Sequence, residues 1–131
     1  MDEVKIRSGT RVKLKHVDED TLPLEFISKM KEYAHKDERI LAVFFFAIQV
    51  DHQDEQPSMA VAIKGGIFKK PDEIFLQVVD EIQMILPDEL SINLYRFGAA
   101  EMLTKYCVEN LEPIYLRSSA WLEKQKKKYL K

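Results

Sequence analysis

Apolar and polar positions alternate with period two over Thr10 to Val17, where Val12 and Leu14 are set against Arg11, Lys13 and Lys15. That spacing predicts a half-buried strand, because successive side chains in a strand point to opposite faces. Leu22-Pro23 then opens a predicted helix, since proline lacks an N–H that would be unpaired in a first turn anyway. Asp20 or Thr21 is the expected cap. Phe26, Ile27, Met30, Tyr33 and Ala34 recur at helical intervals and form its apolar face.

The next stretch, Leu41 to Gly66, dominates the chain. It reads LAVFFFAIQV, then DHQDEQP, then SMAVAIKGG, two β-prone runs around an acidic loop, and predicts a β-hairpin. Phe44, Phe46, Ile48 and Val50 fall on one face of its first strand and Val43, Phe45 and Ala47 on the other. A strand apolar on both faces must be covered on both. The return strand alternates Met59, Val61 and Ile63 with Ala60 and Ala62, so its alanine face leaves room for bulky side chains opposite. Pro71-Asp72-Glu73 opens a second helix carrying Ile74, Phe75, Val78, Val79, Ile82, Ile85 and Leu86, which Pro87-Asp88 stops. Leu90, Ile92 and Leu94 alternate as a fourth strand.

Two helical pieces follow, Ala99 to Leu111 and, after a Ser118 cap, Ser119 to Lys131. The order β-α-β-β-α-β predicts an α+β fold, a ferredoxin-like split sandwich with an antiparallel sheet and two extra C-terminal helices. In the 4-1-3-2 order of that fold the phenylalanine strand lies at an edge. The C-terminal helices are then expected to cover it, with Met102, Tyr106 or Trp121 over Phe45 or its neighbours.

Composition narrows the function classes. At 131 residues and 46% hydrophobic, the chain is expected to form a single domain over residues 1–131. Its 20 Lys and Arg against 22 Asp and Glu give a net charge of -2, so no global field draws it to polyanions, and no nucleic-acid partner is expected. No apolar run approaches the roughly 20 residues of a membrane span, and a lone Cys107 suits a reducing compartment. A cytoplasmic location without membrane attachment is therefore expected.

The chain, residue by residue, offers little catalytic chemistry. Cys107 has helical spacing with Leu103 and Leu111 and reads as a small buried hydrophobe. His16, His35 and His52 lie in three separate segments without zinc-ligand spacing. The Asp51 to Glu55 loop lacks the Gly turn and distal Glu of a calcium loop, and Gly65-Gly66 lacks a phosphate-loop pattern. The lysines of the last helix read as a solvated face. No cofactor, metal site or catalytic residue is expected, and the chain is expected not to be an enzyme.

Several residues carry a family resemblance: SGTRVKL at 8 to 14, the helix opened by Pro23, the hairpin from Ala42 to Lys64, and LEPIYLR at 111 to 117. Together they resemble the C-terminal domain of the enhanced serine sensitivity protein SseB family. HVDED at 16 to 20 stands where that family leads one to expect a Gly-containing turn. The resemblance implies no established reaction. It directs attention to Glu112, Tyr115 and Arg117 as a candidate interaction surface. The expectation is thus a non-catalytic interaction or regulatory module with a protein partner, or a homodimer; the alternative is a domain that senses a small metabolite such as an amino acid.

Overall fold

The computed structural model describes residues 2–7, 10–17, 22–51, 53–65 and 70–130. Ten elements follow in chain order: β1 Asp2–Arg7, β2 Thr10–His16, α1 Leu24–Lys36, β3 Ile40–Val50, β4 Gln56–Ile63, α2 Pro71–Gln83, β5 Asn93–Arg96, α3 Glu101–Asn110, β6 Tyr115–Leu116 and α4 Ser119–Tyr129. Pro23, in extended backbone, is the N-cap of α1 and provides no side-chain bond. The expected caps Asp20 and Thr21 lie outside the described residues. Ser118 does cap α4, its Oγ accepting from the Trp121 N–H at 3.4 Å.

The strands form one mixed sheet in the order β1-β2-β3-β4-β5, with β6 also paired to β3. This α+β arrangement corrects the expected strand order. In a 4-1-3-2 sheet the strand Thr10–His16 would lie between the third and fourth strands. Here both its edges are occupied, one by β1 with Arg7 opposite Thr10, the other by β3 with His16 opposite Phe46. The fourth strand is therefore displaced to the far side of β4, where it pairs in parallel, Met59 opposite Leu94. That connection, β4-α2-β5, joins neighbouring parallel strands, so the sheet is mixed and not purely antiparallel.

The phenylalanine strand is consequently central. Its length explains its two neighbours on one edge: β2 pairs with Phe46 to Val50, and β6 pairs with Ala42 and Val43. The two short strands lie end to end along β3.

Both faces of β3 are covered, by different helix pairs. Val43 and Phe45 join Met59 and Val61 under α1 and α2, where Phe26, Met30, Ile74, Val78 and Ile82 complete the cluster. Phe45 meets Phe26 edge to face, ring centroids 6.4 Å apart. On the opposite face Phe44 and Phe46 pack with Tyr106, Cys107 and Phe97, and with Trp121, Leu122 and Tyr129 of α4. Ala60 and Ala62 leave the space there for Phe97, which stacks on Phe44 at 5.5 Å and touches Trp121 at 5.3 Å. The C-terminal helices thus do fold back over the sheet, but over Phe44 and Phe46. Phe45 belongs to the α1 and α2 side, and Met102 is half exposed at 50%.

Candidate functional site

The segment from Leu111 to Arg117 begins where α3 must end. Leu111 is buried and extended, its N–H donating to the Cys107 carbonyl at 3.1 Å, and Pro113 forbids further helix. The chain therefore runs straight back to β3. The Ile114 N–H donates to the Val43 carbonyl at 2.8 Å and the Arg117 N–H to that of Leu41 at 2.9 Å, which anchors β6.

Arg117 then reaches across to the end of α1. Its Nε donates to the Ile40 carbonyl at 2.9 Å, and Nη2 to the carbonyls of Ala34, His35 and Asp37 at 2.9, 3.1 and 3.0 Å. Carbonyls in the last turn of a helix have no intrahelical partner, and a cation there also meets the negative end of the helix dipole. Tyr115 lies beneath, its ring 5.6 Å from the guanidinium carbon and 6.4 Å from the His35 ring. The Tyr115–Arg117 pair is thus a latch between β6 and α1.

Glu112 faces a different space. It is exposed, and with Pro113, Ile114, His16, Val17, Lys31 and Phe45 it lines a cleft of about 330 Å³. The cleft marks the break between β2 and β6: one ladder stops at Phe46, the other at Val43, and among the described residues no strand lies beside Phe44 and Phe45 on that edge. Of the three residues singled out in the sequence, Tyr115 and Arg117 come together and Glu112 is directed to the cleft beside them.

A second polar cluster ties α1 to α2. Arg39 donates from Nε to Asp37 Oδ1 at 2.9 Å, from Nη2 to Asp37 Oδ2 at 2.6 Å and Glu81 Oε2 at 2.8 Å, and from Nη1 to Gln77 at 3.1 Å. The Tyr33 hydroxyl donates to Glu81 and, at 3.2 Å, to Asp37. Hydrogen bonding from Arg39 holds the Asp37 carboxyl below the usual range, and burial followed by the Glu81 hydrogen bond pushes the Tyr33 phenol up. Sequence reasoning missed this cluster. The Tyr33 to Asp37 spacing on one helix face was a local signal for half of it, but nothing local points to Glu81 or Gln77.

The other candidates find structural settings. Cys107 is fully buried, and burial pushes its thiol up to about 12, so it is protonated and shielded at neutral pH. Phe44, Phe45 and Phe46 are 0%, 2% and 0% exposed, which leaves no ring face for stacking a base. A Cβ on Gly65 would come within 3.3 Å of Pro71, so the turn itself accounts for that glycine. His52 and Gly66 lie outside the described residues. Among the described residues no three His, Cys, Asp or Glu side chains gather as metal ligands, and no helix is long and apolar enough to cross a membrane.

The fold and this latch define a small α+β domain whose central strand is paired along part of one edge by a Glu-Pro-x-Tyr-x-Arg return segment. Residues 6–117 match the SseB protein C-terminal domain, and the chain belongs to that family. The match runs from within β1 to Arg117 and so includes the latch; α4 lies beyond it. Comparison with curated proteins and with solved structures yielded no match.

Proposed function

We propose that the domain is a non-catalytic interaction or regulatory module that engages an extended segment of a protein partner at the cleft beside Glu112. One observation carries this reading: among the described residues the edge of the central strand has no strand beside Phe44 and Phe45, between the two ladders, and a cleft opens there. Its partly exposed Val17, Pro113 and Ile114 suit an apolar side chain of the partner, while Glu112, Lys31 and His16 form a polar rim. The latch beneath holds this surface rigid, which lowers the cost of ordering it on binding. The buried, protonated Cys107 supports a reading without thiol chemistry. A cytoplasmic setting agrees with that free thiol.

The test is affinity of a purified, reconstituted complex. A partner recovered with the intact protein should bind Glu112→Lys at least tenfold more weakly and Glu101→Lys, an exposed position on α3, as well as the parent. Equal affinity for Glu112→Lys, with an unchanged melting temperature, would remove the cleft from the interface. A thermal-shift panel of free amino acids covers the alternative: stabilisation by one of them, lost in Glu112→Lys, would make this a metabolite site instead.

A further inference from the structure

Two segments on opposite faces of the sheet carry opposite charge. Between Pro71 and Tyr95 the acids are Asp72, Glu73, Asp80, Glu81, Asp88 and Glu89, with no lysine or arginine. From Arg117 to Lys131 the bases are Arg117, Lys124, Lys126, Lys127, Lys128 and Lys131 against a single Glu123. Asp72 and Glu81 are paired within the fold, with Arg96 and Arg39. Glu73, Asp80, Asp88 and Glu89 have no ion-pair partner among the described residues. The same holds for Lys124 and Lys127 on the outer side of α4.

The acidic layer also exposes apolar surface. A groove of about 360 Å³ runs between the start of α1 and the end of α2, floored by Phe26, Ile85, Leu86 and Pro87 and edged on one side by Asp88 and Glu89 and on the other by Lys29, which is paired with Glu25 at 3.0 Å. Met84 lines it at 87% exposure, and Leu24, beside its lining residues Pro23 and Glu25, is 79% exposed. Acids flanking exposed apolar side chains are complementary to a basic helix that carries an apolar residue. α4 has that composition: exposed Lys124, Lys127 and Lys128, followed by Leu130 at 40% exposure.

A chain cannot satisfy its own groove. Trp121 and Tyr129 hold α4 against Phe97 on the opposite side of the sheet, at 5.3 and 6.3 Å. We infer that the lysine face of α4 in one copy docks, with Leu130, into the α1–α2 groove of a second copy. The contact is heterologous, groove to helix, so each copy keeps one unfilled groove and one free helix for a further neighbour unless a ring closes. It is distinct from the Glu112 cleft and independent of what that cleft binds. Its charge pairs are solvent-facing, which makes the association weak and strongly salt-dependent.

Sedimentation of the whole chain tests this. At low salt the weight-average mass should rise with concentration to at least twice the 15.4 kDa of one chain, and return to it at about 1 M salt, where the screening length is about 3 Å. Asp88→Lys with Glu89→Lys makes the groove basic; Lys124→Glu with Lys127→Glu makes the helix acidic. Each double variant alone should be monomeric. Mixed in equal amounts they should associate, because each then presents the complement the other lacks. All four positions are exposed, and unchanged melting temperatures confirm the fold. A wild-type mass that stays monomeric at low salt and about millimolar protein, or a mixture that stays monomeric, overturns the inference.

Discussion

The Arg117 guanidinium donates to the Ala34 carbonyl at 2.9 Å across a separation of 83 residues, so the residue that follows the last short strand caps the end of the first helix. Three more carbonyls, those of His35, Asp37 and Ile40, take the remaining donors that face this corner.

Arg117→Ala should therefore destabilise the fold by about 1.5–3 kcal/mol, the range for hydrogen bonds made by a charged donor. Arg117→Lys should recover less than half, because an ammonium keeps the charge at the helix end but not the planar fork. Urea unfolding of the three proteins measures both differences.

Phe45 and Met102 separate the expected cover from the observed one. Phe45→Ala removes a ring held between Phe26 and the sheet and should cost about 3–5 kcal/mol. Met102 is half exposed, so Met102→Ala should stay within about 0.5 kcal/mol of the parent. A large loss at Met102 in denaturant titration would contradict the packing described for α3.

Cys107 should resist alkylation in the folded protein at pH 8 and react only on unfolding. Its folded pKa, raised to about 12, exceeds the unfolded value. Stability from the buried neutral thiol is thus complete below the unfolded pKa and declines as pH rises towards 12. Cys107→Ala should flatten that alkaline decline in chemical-denaturation profiles taken from pH 8 upward.

Asp37 predicts the acid limb. Hydrogen bonds from Arg39 lower its pKa in the folded state, so its contribution is present above the unfolded carboxyl value and fades as pH falls through the folded one. Asp37→Asn should be less stable than the parent at neutral pH, and the gap should narrow below about pH 4. A constant gap down to pH 2 would show that the carboxylate charge is not what Arg39 reads.

Sequence alone determined the local elements and their buried sides. Period-two alternation marked Val43 and Phe45 as facing away from Phe44 and Phe46, and the structure separates them into two cores on opposite faces. The alanines of β4 announced bulky neighbours, and Phe97 is one. Pro71, Pro113 and Ser118 marked helix boundaries because proline and a capping hydroxyl act within one turn of themselves. β1 is a strand that the alternation at Thr10 to Val17 left unassigned.

Strand order was decided by tertiary structure. Alternation says which face a strand buries, but both edges of a strand have the same backbone donors and acceptors, so nothing local chooses the neighbour. That choice fell to long-range fits: β1 taking the outer edge of β2, and β6 taking part of the edge of β3 that β2 leaves uncovered. The target of Arg117 and the Arg39 to Glu81 pairing belong to the same class, since each depends on where another element has already packed. So does the placement of the acidic α2 layer and the lysine face of α4 on opposite sides of the sheet, which composition records only as a net charge of -2.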